Sequence, residues 1–165
     1  MKREEINYTE IVIRLKKEVE SARLNAAFSV NKQMLILYWR IGRTILEQQE
    51  NQGWGAKIID RLSVDLRKAF PDMKGFSARN LKYMRAFAEA YPAFVQDPLA
   101  QIAEASIVQD PLAQITWYHH ITLLDKLRDV NARMFYISKT AENGWSRNIL
   151  VHQLESKLYE RQEKR

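Results

Sequence analysis

The sequence predicts an all-α protein, built as a multi-helix domain with two helix-turn-helix-like units. Apolar residues recur at steps of three and four along most of the chain, which is the period of an amphipathic helix. No segment shows the strict alternation of apolar and polar residues that is typical of a half-buried strand. Only 5 Gly and 4 Pro occur among the 165 residues, and an all-β sandwich has many more turn-forming residues.

The composition excludes several classes of protein. The chain has no Cys, so it can form neither disulfides nor thiolate metal sites. Its longest apolar run, residues 34–39, is far shorter than the roughly 20 residues of a membrane-spanning helix. The charged N-terminal segment lacks the apolar core of a signal peptide. We therefore expect a cytoplasmic protein with no membrane partner.

The charge is distributed unevenly along the chain. The net charge is +6 and the isoelectric point is near 9.5. Residues 57–90 carry 8 basic and 4 acidic side chains, whereas residues 91–120 carry 3 acidic and no basic ones. Residues 121–165 are again basic. Two basic blocks therefore flank an acidic segment, and this balance permits nucleic acid as a partner.

The N-terminal region predicts long amphipathic helices. Residues 8–27 and 31–50 each place apolar side chains on one helical face, and no Pro or Gly separates them. They form either one long helix or two helices with a break near Ser29. Gly42 lies inside the second run, where a glycine lowers helix stability, so we expect another helix to approach it closely. The segment Gly53-Trp54-Gly55 is expected to end this region.

The next two elements form the first helix-turn-helix-like unit. A helix is predicted over residues 56–69, a turn over residues 71–75, and a second helix from Ala78 to a point before Pro92. Ser77 is expected to cap that second helix. The apolar side of the first of these helices consists of Ile58, Ile59, Leu62, Leu66 and Phe70.

An eight-residue segment is repeated in the middle of the chain. VQDPLAQI occurs at residues 95–102 and again at residues 108–115. Each copy has Asp at a cap position and Pro at the first helical position, which predicts a short helix. Two copies are too few for a solenoid. We interpret the repeat as a duplication that lengthens a connector; a tandem peptide-docking site is the alternative.

The C-terminal region forms the second unit. Helices are predicted over residues 119–130 and 132–142, followed by a stop at Asn143-Gly144. Ser146 is expected to cap a last helix that runs toward Tyr159. We treat the chain as one domain over residues 1–165, in which 1–92 hold the long helices and the first unit, 93–118 the connector, and 119–165 the second unit. The apolar anchors of the two middle helices are Ile121, Leu124, Leu127, Met134, Phe135 and Ile137.

Two helix starts resemble one another and suit DNA. Residues 75–81 read GFSARNL and residues 144–150 read GWSRNIL, so each has Gly, an aromatic residue, a Ser cap and an Arg-Asn pair. Helix N-termini attract phosphate, Arg pairs with guanine and Asn pairs with adenine. Additional cations surround the first start. The predicted DNA contacts are Lys74, Ser77, Arg79, Asn80, Lys82 and Arg85 at the first start, and Ser146, Arg147 and Asn148 at the second.

The residues give little support for a catalytic site or a cofactor site. The sequence has no nucleophile elbow and no glycine-rich phosphate loop. Pro71-Asp72 and Glu155-Ser156-Lys157 resemble pieces of a PD-(D/E)XK nuclease site, but they fall on a turn and a helix rather than on adjacent strands. A zinc site through His119 or His120 with His152 is an alternative, although adjacent histidines on a helix point in different directions. We expect no metal, no cofactor and no catalytic residue.

The order of motifs resembles the YhcG-type N-terminal domain family. The resemblance rests on Asn31 with LYWxIG at 37–42, GWG at 53–55, LSxDL at 62–66, GFSxRNLxxMRxF at 75–87, WxHH at 117–120 and FY…GWSR ending at Arg147. It covers nearly the whole chain. In that family the helical part precedes a C-terminal PD-(D/E)XK nuclease domain. The resemblance therefore implies that this chain is the N-terminal module and that the catalytic part lies elsewhere. The duplicated segment departs from the family pattern and lengthens the spacing between the two basic blocks.

These observations lead to one expected function and one rival. We expect a non-enzymatic module that binds duplex DNA, chiefly at its phosphates, and that positions a nuclease domain in cis or in trans. The rival is an oligomerisation or protein-interaction module, in which the long N-terminal helices form a homodimer or a platform for the nuclease domain. A homodimer that also binds DNA would satisfy both.

Overall fold

The computed structural model describes residues 2–94 and 111–164, with side chains from residue 8 onward. These residues form helices and contain no strand, which confirms the all-α prediction. None of the described helices is long and apolar enough to cross a membrane. The elements are α1 (Lys2–Gln52), α2 (Ala56–Ala69), α3 (Ala78–Ala90), α4 (Pro111–Gln114), α5 (Trp117–Lys126), α6 (Val130–Asn143), α7 (Arg147–Glu155) and α8 (Leu158–Glu163).

The N-terminal region is one continuous helix. Helix α1 has 51 residues, so at 1.5 Å per residue it is about 76 Å long. The break considered near Ser29 does not occur. Residues 31–49 supply the buried face, whereas the side chains of residues 8–30 are exposed, with only Val12 partly covered. The helix ends before Gly53, whose φ of +63° is left-handed, and the predicted stop is confirmed.

The central packing contact is between α1 and α3. A Cβ atom added at Gly42 would overlap the carbonyl oxygen of Met84 and lie 3.0 Å from the backbone nitrogen of Arg85. The close approach predicted at Gly42 is therefore confirmed. The core around this contact draws on α1, α3, α5, α6 and α7, and its fully buried members include Leu35, Ile45, Leu81, Met84, Phe87, Leu123, Ile137 and Leu150.

Side chains of α1 hold the segments at the ends of α3 and α4. The indole Nε1 of Trp39 donates to the carbonyl oxygen of Tyr91 at 2.8 Å. The Nδ2 of Asn31 donates to the carbonyl oxygens of Ala113 at 3.2 Å and Ile115 at 2.9 Å. These bonds satisfy backbone acceptors that a helix end leaves without an intrahelical partner.

The second copy of the repeat opens a helix, as predicted. Helix α4 begins at Pro111, and its Leu112 and Ala113 are buried. The ring Nε2 of His120 donates to the carbonyl oxygen of Leu112 at 2.8 Å. The first copy, residues 95–102, lies outside the described residues, as does most of the connector.

His120 is a core residue without charge. Its ring lies 4.9 Å from the ring of Phe87 and 6.0 Å from that of Tyr91, measured between centroids. Burial lowers the pKa of His120 from 6.5 to about 4. The neutral ring is therefore the form that the folded protein holds near neutral pH.

Helix α2 has the predicted bounds, but part of its predicted apolar side is exposed. Ile59 is buried, whereas Ile58 and Phe70 are 38% and 49% exposed. Ser63 is also buried, although the apolar periodicity of the sequence did not identify it. Its hydroxyl donates to the carbonyl oxygen of Phe76 at 2.6 Å. This bond connects α2 to the loop that precedes α3.

Helices α5 and α6 begin two residues earlier than predicted, and α5 ends at Lys126 rather than at residue 130. The α5 start follows the Thr116 cap, which accepts a hydrogen bond from the backbone nitrogen of His119. Among the six predicted anchors Ile137 is fully buried and the other five are partly buried and pack against the core. Leu123 and Tyr136 are fully buried as well. Gly144 ends α6 with a φ of +61°, so the predicted stop is confirmed.

The prediction of a single last helix reaching Tyr159 is wrong. Ser146 caps α7 as predicted, by accepting from the backbone nitrogen of Ile149 at 3.2 Å. The helix ends at Glu155, however, and Lys157 has a left-handed φ of +56°. The break lets the backbone nitrogen of Tyr159 donate to the hydroxyl of Tyr136 at 3.0 Å. A tertiary hydrogen bond therefore favours two short helices at this point.

We expect Gly42→Ala to destabilise the protein because its Cβ would overlap the backbone of α3. Overpacking of this kind costs roughly 1–3 kcal/mol in free energy of unfolding, and here it involves backbone rather than a flexible side chain. Urea denaturation followed by circular dichroism measures the effect. Gly55→Ala is the matched control, since nothing lies within 4 Å of the added atom. Equal stability of the two variants would contradict the packing account.

We expect the stability of the protein to fall between about pH 6.5 and pH 4 because of His120. Below pH 6.5 the unfolded chain binds a proton at His120, whereas the folded protein binds it only near pH 4. The free energy of unfolding is therefore lower by about 3 kcal/mol at the acid end of this pH range. The free energy of unfolding should be measured at neutral and acid pH in the wild type and in His120→Gln, which retains a donor for Leu112. The exposed His152→Gln serves as control. Identical acid sensitivity in His120→Gln and the wild type would exclude this assignment.

Candidate nucleic-acid interface

The two predicted helix starts face the same groove. Its volume is about 600 Å³. Lys74, Ser77, Arg79 and Asn80 reach it from the start of α3, and Arg147 reaches it from the start of α7. None of the residues that line the groove is acidic. The remaining lining residues are Met34, Tyr38, Gly75, Tyr83, Trp117, Tyr118 and Ile121.

The start of α3 is built on a close contact with α1. Gly75 has a φ of +122°, and a Cβ atom at this position would overlap the hydroxyl of Tyr38. The hydroxyl of Ser77 accepts from the backbone nitrogen of Asn80 at 3.1 Å, so the predicted cap is confirmed. The ring of Tyr38 packs edge-on against that of Trp117, with 4.9 Å between centroids. Burial raises the pKa of Tyr38, so its hydroxyl remains neutral.

Asn80 connects the loop before α3 to α5. Its Nδ2 donates to the carbonyl oxygen of Gly75 at 2.6 Å. Its Oδ1 accepts from the indole Nε1 of Trp117 at 2.8 Å. Both ends of the amide therefore have partners within the protein. That Asn80 reads adenine stays a prediction, and such a contact would compete with these two hydrogen bonds.

Arg79 presents an exposed guanidinium beside an aromatic ring. Its Nη2 donates to the hydroxyl of Tyr83 at 3.4 Å, and its Cζ lies 5.7 Å from the centroid of that ring. The hydroxyl of Tyr83 donates to the carboxylate of Asp125 at 2.8 Å. The hydrogen bond to Tyr83 raises the pKa of Arg79. The ring thus orients Arg79 while leaving its charge at the groove.

Arg147 is positioned by α5. Its Nε donates to the hydroxyl of Thr122 at 3.2 Å, and that hydroxyl donates to the carbonyl oxygen of Tyr118 at 2.9 Å. No ion pair involving Lys74, Arg79 or Arg147 occurs in the described part of the chain. Lys74 and Arg147 therefore have no acidic partner there, and Arg79 is linked to the carboxylate of Asp125 through the hydroxyl of Tyr83 without forming an ion pair.

His119 connects α5 to the second helix start. Its Nδ1 accepts from the backbone nitrogen of Thr116 at 3.1 Å, and its Nε2 donates to the carbonyl oxygen of Trp145 at 2.7 Å. Burial lowers the pKa of His119, which favours this neutral form. Both ring nitrogens of His119 are therefore occupied by structural hydrogen bonds. Among the described residues, no three potential metal ligands of the His, Cys, Asp or Glu type cluster.

Four predicted contacts do not line the groove. Lys82 is exposed on α3, and Arg85 is half-buried with its Nε atom enclosed. Ser146 and Asn148 are exposed at the start of α7, where Ser146 acts as the cap. The structure therefore brings five of the nine predicted residues together and leaves these four on the surrounding surface.

Several lining residues were not identified by sequence reasoning. Tyr118 is 70% exposed, between the buried Trp117 and the buried His119. Ile121 lies one turn further along α5, and Met34 comes from α1. The only sequence signal at Tyr118 is an aromatic residue that follows another aromatic at a helix start. Its position at the groove depends on how α5 packs against α1 and α3.

Comparison with known proteins gives one family and one relative. Residues 14–161 match the family described as the DUF1016 N-terminal domain. The Escherichia coli (strain K12) protein named "Putative nuclease YhcG" is 33% identical over 165 aligned positions, which cover 87% of this chain and 43% of that protein. The chain thus spans less than half of the length of this relative. No solved structure matches the chain.

Proposed function

The chain belongs to the DUF1016 N-terminal domain family, and on this premise we propose that it is the DNA-binding module of a larger nuclease. In this proposal the module is not catalytic. Cleavage is carried out by a C-terminal PD-(D/E)XK domain outside this chain, which acts in cis or in trans. The name of the E. coli relative describes a nuclease of more than twice the matched length, which leaves room for such a domain in that protein.

The observation that carries the proposal is the convergence of two helix starts on one groove without acidic lining. Lys74, Arg79 and Arg147 come from positions up to 73 residues apart in the chain, yet all line the same surface. Phosphate contacts by Lys and Arg release counterions and provide most of the non-specific affinity of proteins for DNA. The N-termini of α3 and α7 add partial positive charge at the same place.

We propose that Lys82 and Arg85 extend this surface along α3, with Ser146 and Asn148 extending it along α7. The loop between α6 and α7 has three residues, 144–146, which is the turn length of a helix-turn-helix. The loop between α2 and α3 has eight residues, 70–77, and is longer than that turn. A helix-turn-helix-like arrangement is therefore better supported for the second unit than for the first.

Assembly is the second candidate function, and the N-terminal half of α1 favours it. Tyr8, Val12, Leu15, Val19 and Ala22 follow one another at steps of four and three, the spacing of the apolar positions in a coiled coil. Three of them, Tyr8, Leu15 and Val19, are large and exposed. This surface is separate from the groove, so a homodimer or a contact with the nuclease domain is compatible with DNA binding.

We expect Arg79→Ala combined with Arg147→Ala to weaken DNA binding. Removal of each guanidinium should reduce affinity about tenfold, since a hydrogen bond to a charged group contributes roughly 1.5 kcal/mol. The slope of log affinity against log salt should also become shallower, by about 0.9 for each phosphate that the variant no longer neutralises. Fluorescence anisotropy with a labelled duplex at several salt concentrations measures both quantities.

The matched control is Lys57→Ala combined with Arg61→Ala, which removes two cations from α2 that do not line the groove. Circular dichroism should show that all variants are folded. If the groove variant binds duplex DNA with the affinity and salt slope of the wild type, the proposed interface is wrong.

We expect Leu15→Glu combined with Val19→Glu to convert a homodimer into a monomer if α1 mediates assembly. Ile13→Glu is the matched control, because Ile13 is exposed but lies about 100° around the helix from Val12. Size-exclusion chromatography with light scattering reports the oligomeric state. If the wild type is monomeric at high concentration, homodimerisation through α1 is excluded. The assembly role that remains for α1 is then a contact with a different chain.

A further inference from the structure

We propose that the groove holds one unpaired nucleotide of a nucleic-acid strand, with its base against Tyr118 and its phosphates on the surrounding cations. This inference rests on the proposed function and specifies which form of nucleic acid the groove selects. The aromatic and apolar residues of the groove lead to this inference, because phosphate contacts by the cations do not explain why such residues line the groove.

The groove is lined by two chemically different sets of residues. Met34, Tyr118 and Ile121 are apolar or aromatic, with the Tyr118 ring 70% exposed. Lys74, Arg79 and Arg147 are cationic. A ligand that matches both has a flat ring next to negative charge, as a nucleotide does. Bases stack on exposed aromatic side chains independently of sequence, and cationic side chains follow the backbone.

The base must be unpaired to make this contact. In a duplex, both faces of each base are covered by the neighbouring bases. A nucleotide in a single strand, in a bulge or in a flipped-out position exposes its ring. The groove, at about 600 Å³, has the size of a small-molecule site, and such a space accommodates a single nucleotide rather than a double helix.

Contacts within the protein hold the residues at the base of the groove in place. The Asn80 amide ties the Gly75 loop to Trp117, and the Trp117 ring rests against Tyr38. Gly75 itself contacts Tyr38 so closely that it has no room for a side chain. A preformed floor reduces the ordering that binding requires. Tyr118 is then the exposed ring that a base would cover.

The test compares three labelled probes in fluorescence anisotropy: a matched duplex, the same duplex with a one-nucleotide bulge, and its single strand. The wild type should prefer the bulged duplex and the single strand over the matched duplex by about tenfold, the effect expected from one stacked base. Tyr118→Ala should remove this preference, so that the variant binds the three probes with similar affinity. Tyr118→Phe should retain it, because the ring rather than the hydroxyl makes the contact.

Tyr8→Ala is the matched control, because Tyr8 is 71% exposed and does not line the groove. It should bind all three probes as the wild type does. Equal wild-type affinity for the three probes, or an unchanged preference in Tyr118→Ala, would overturn this inference while leaving the proposed DNA binding intact. Absence of salt-sensitive binding to every probe would overturn the proposed function as well.

Discussion

The contact between the backbones of α1 and α3 at Gly42 is the constraint on which the rest of the structure depends. Because Gly42 has no side chain, the helices approach until α1 meets the carbonyl group of Met84. Tyr38 and Trp39, one turn earlier on α1, then reach opposite ends of α3. Trp39 binds the carbonyl oxygen of Tyr91 after α3, and Tyr38 packs against Gly75 before it. The close approach therefore fixes where α3 begins, and with it one wall of the groove.

Helix α5 provides the second constraint, because its side chains connect both helix starts. Trp117 binds Asn80 at the start of α3, whereas His119 and Thr122 bind Trp145 and Arg147 around the start of α7. These polar groups form hydrogen bonds that hold the loops in place. The cations have no such structural ion pairs in the described residues, so positive charge remains available at the groove. Burial lowers the pKa of His119, and its neutral ring is a structural link between α5 and the loop before α7.

The groove and the N-terminal half of α1 are separate surfaces with different chemistry. The groove combines cations with aromatic rings, which suits nucleic acid. The exposed half of α1 combines an apolar seam with flanking charges, which suits another helix. Under the proposed function, one surface would contact DNA while the other positions a second polypeptide.

The sequence by itself determined the features that depend on near neighbours in the chain. The caps at Ser77 and Ser146, the stop at Gly144 and the bounds of α2 follow from hydrogen bonds and conformations within a few residues. Gly42 also signalled a close approach, since only packing compensates for a glycine inside a helix. The nine candidate residues were found because they belong to or flank those locally specified helix starts, and five of them line the groove.

The tertiary structure alone decided that the two starts share one groove, that Asn80 is an internal link and that Tyr118 is exposed there. It also decided that the last helix breaks, since the bond from Tyr159 reaches Tyr136 across 23 residues. The bond between Trp117 and Asn80 spans 37 residues. Contacts at such separations depend on how whole helices pack against one another. No periodicity or capping pattern encodes that packing, because each pattern describes one helix and its own solvent-facing and buried sides.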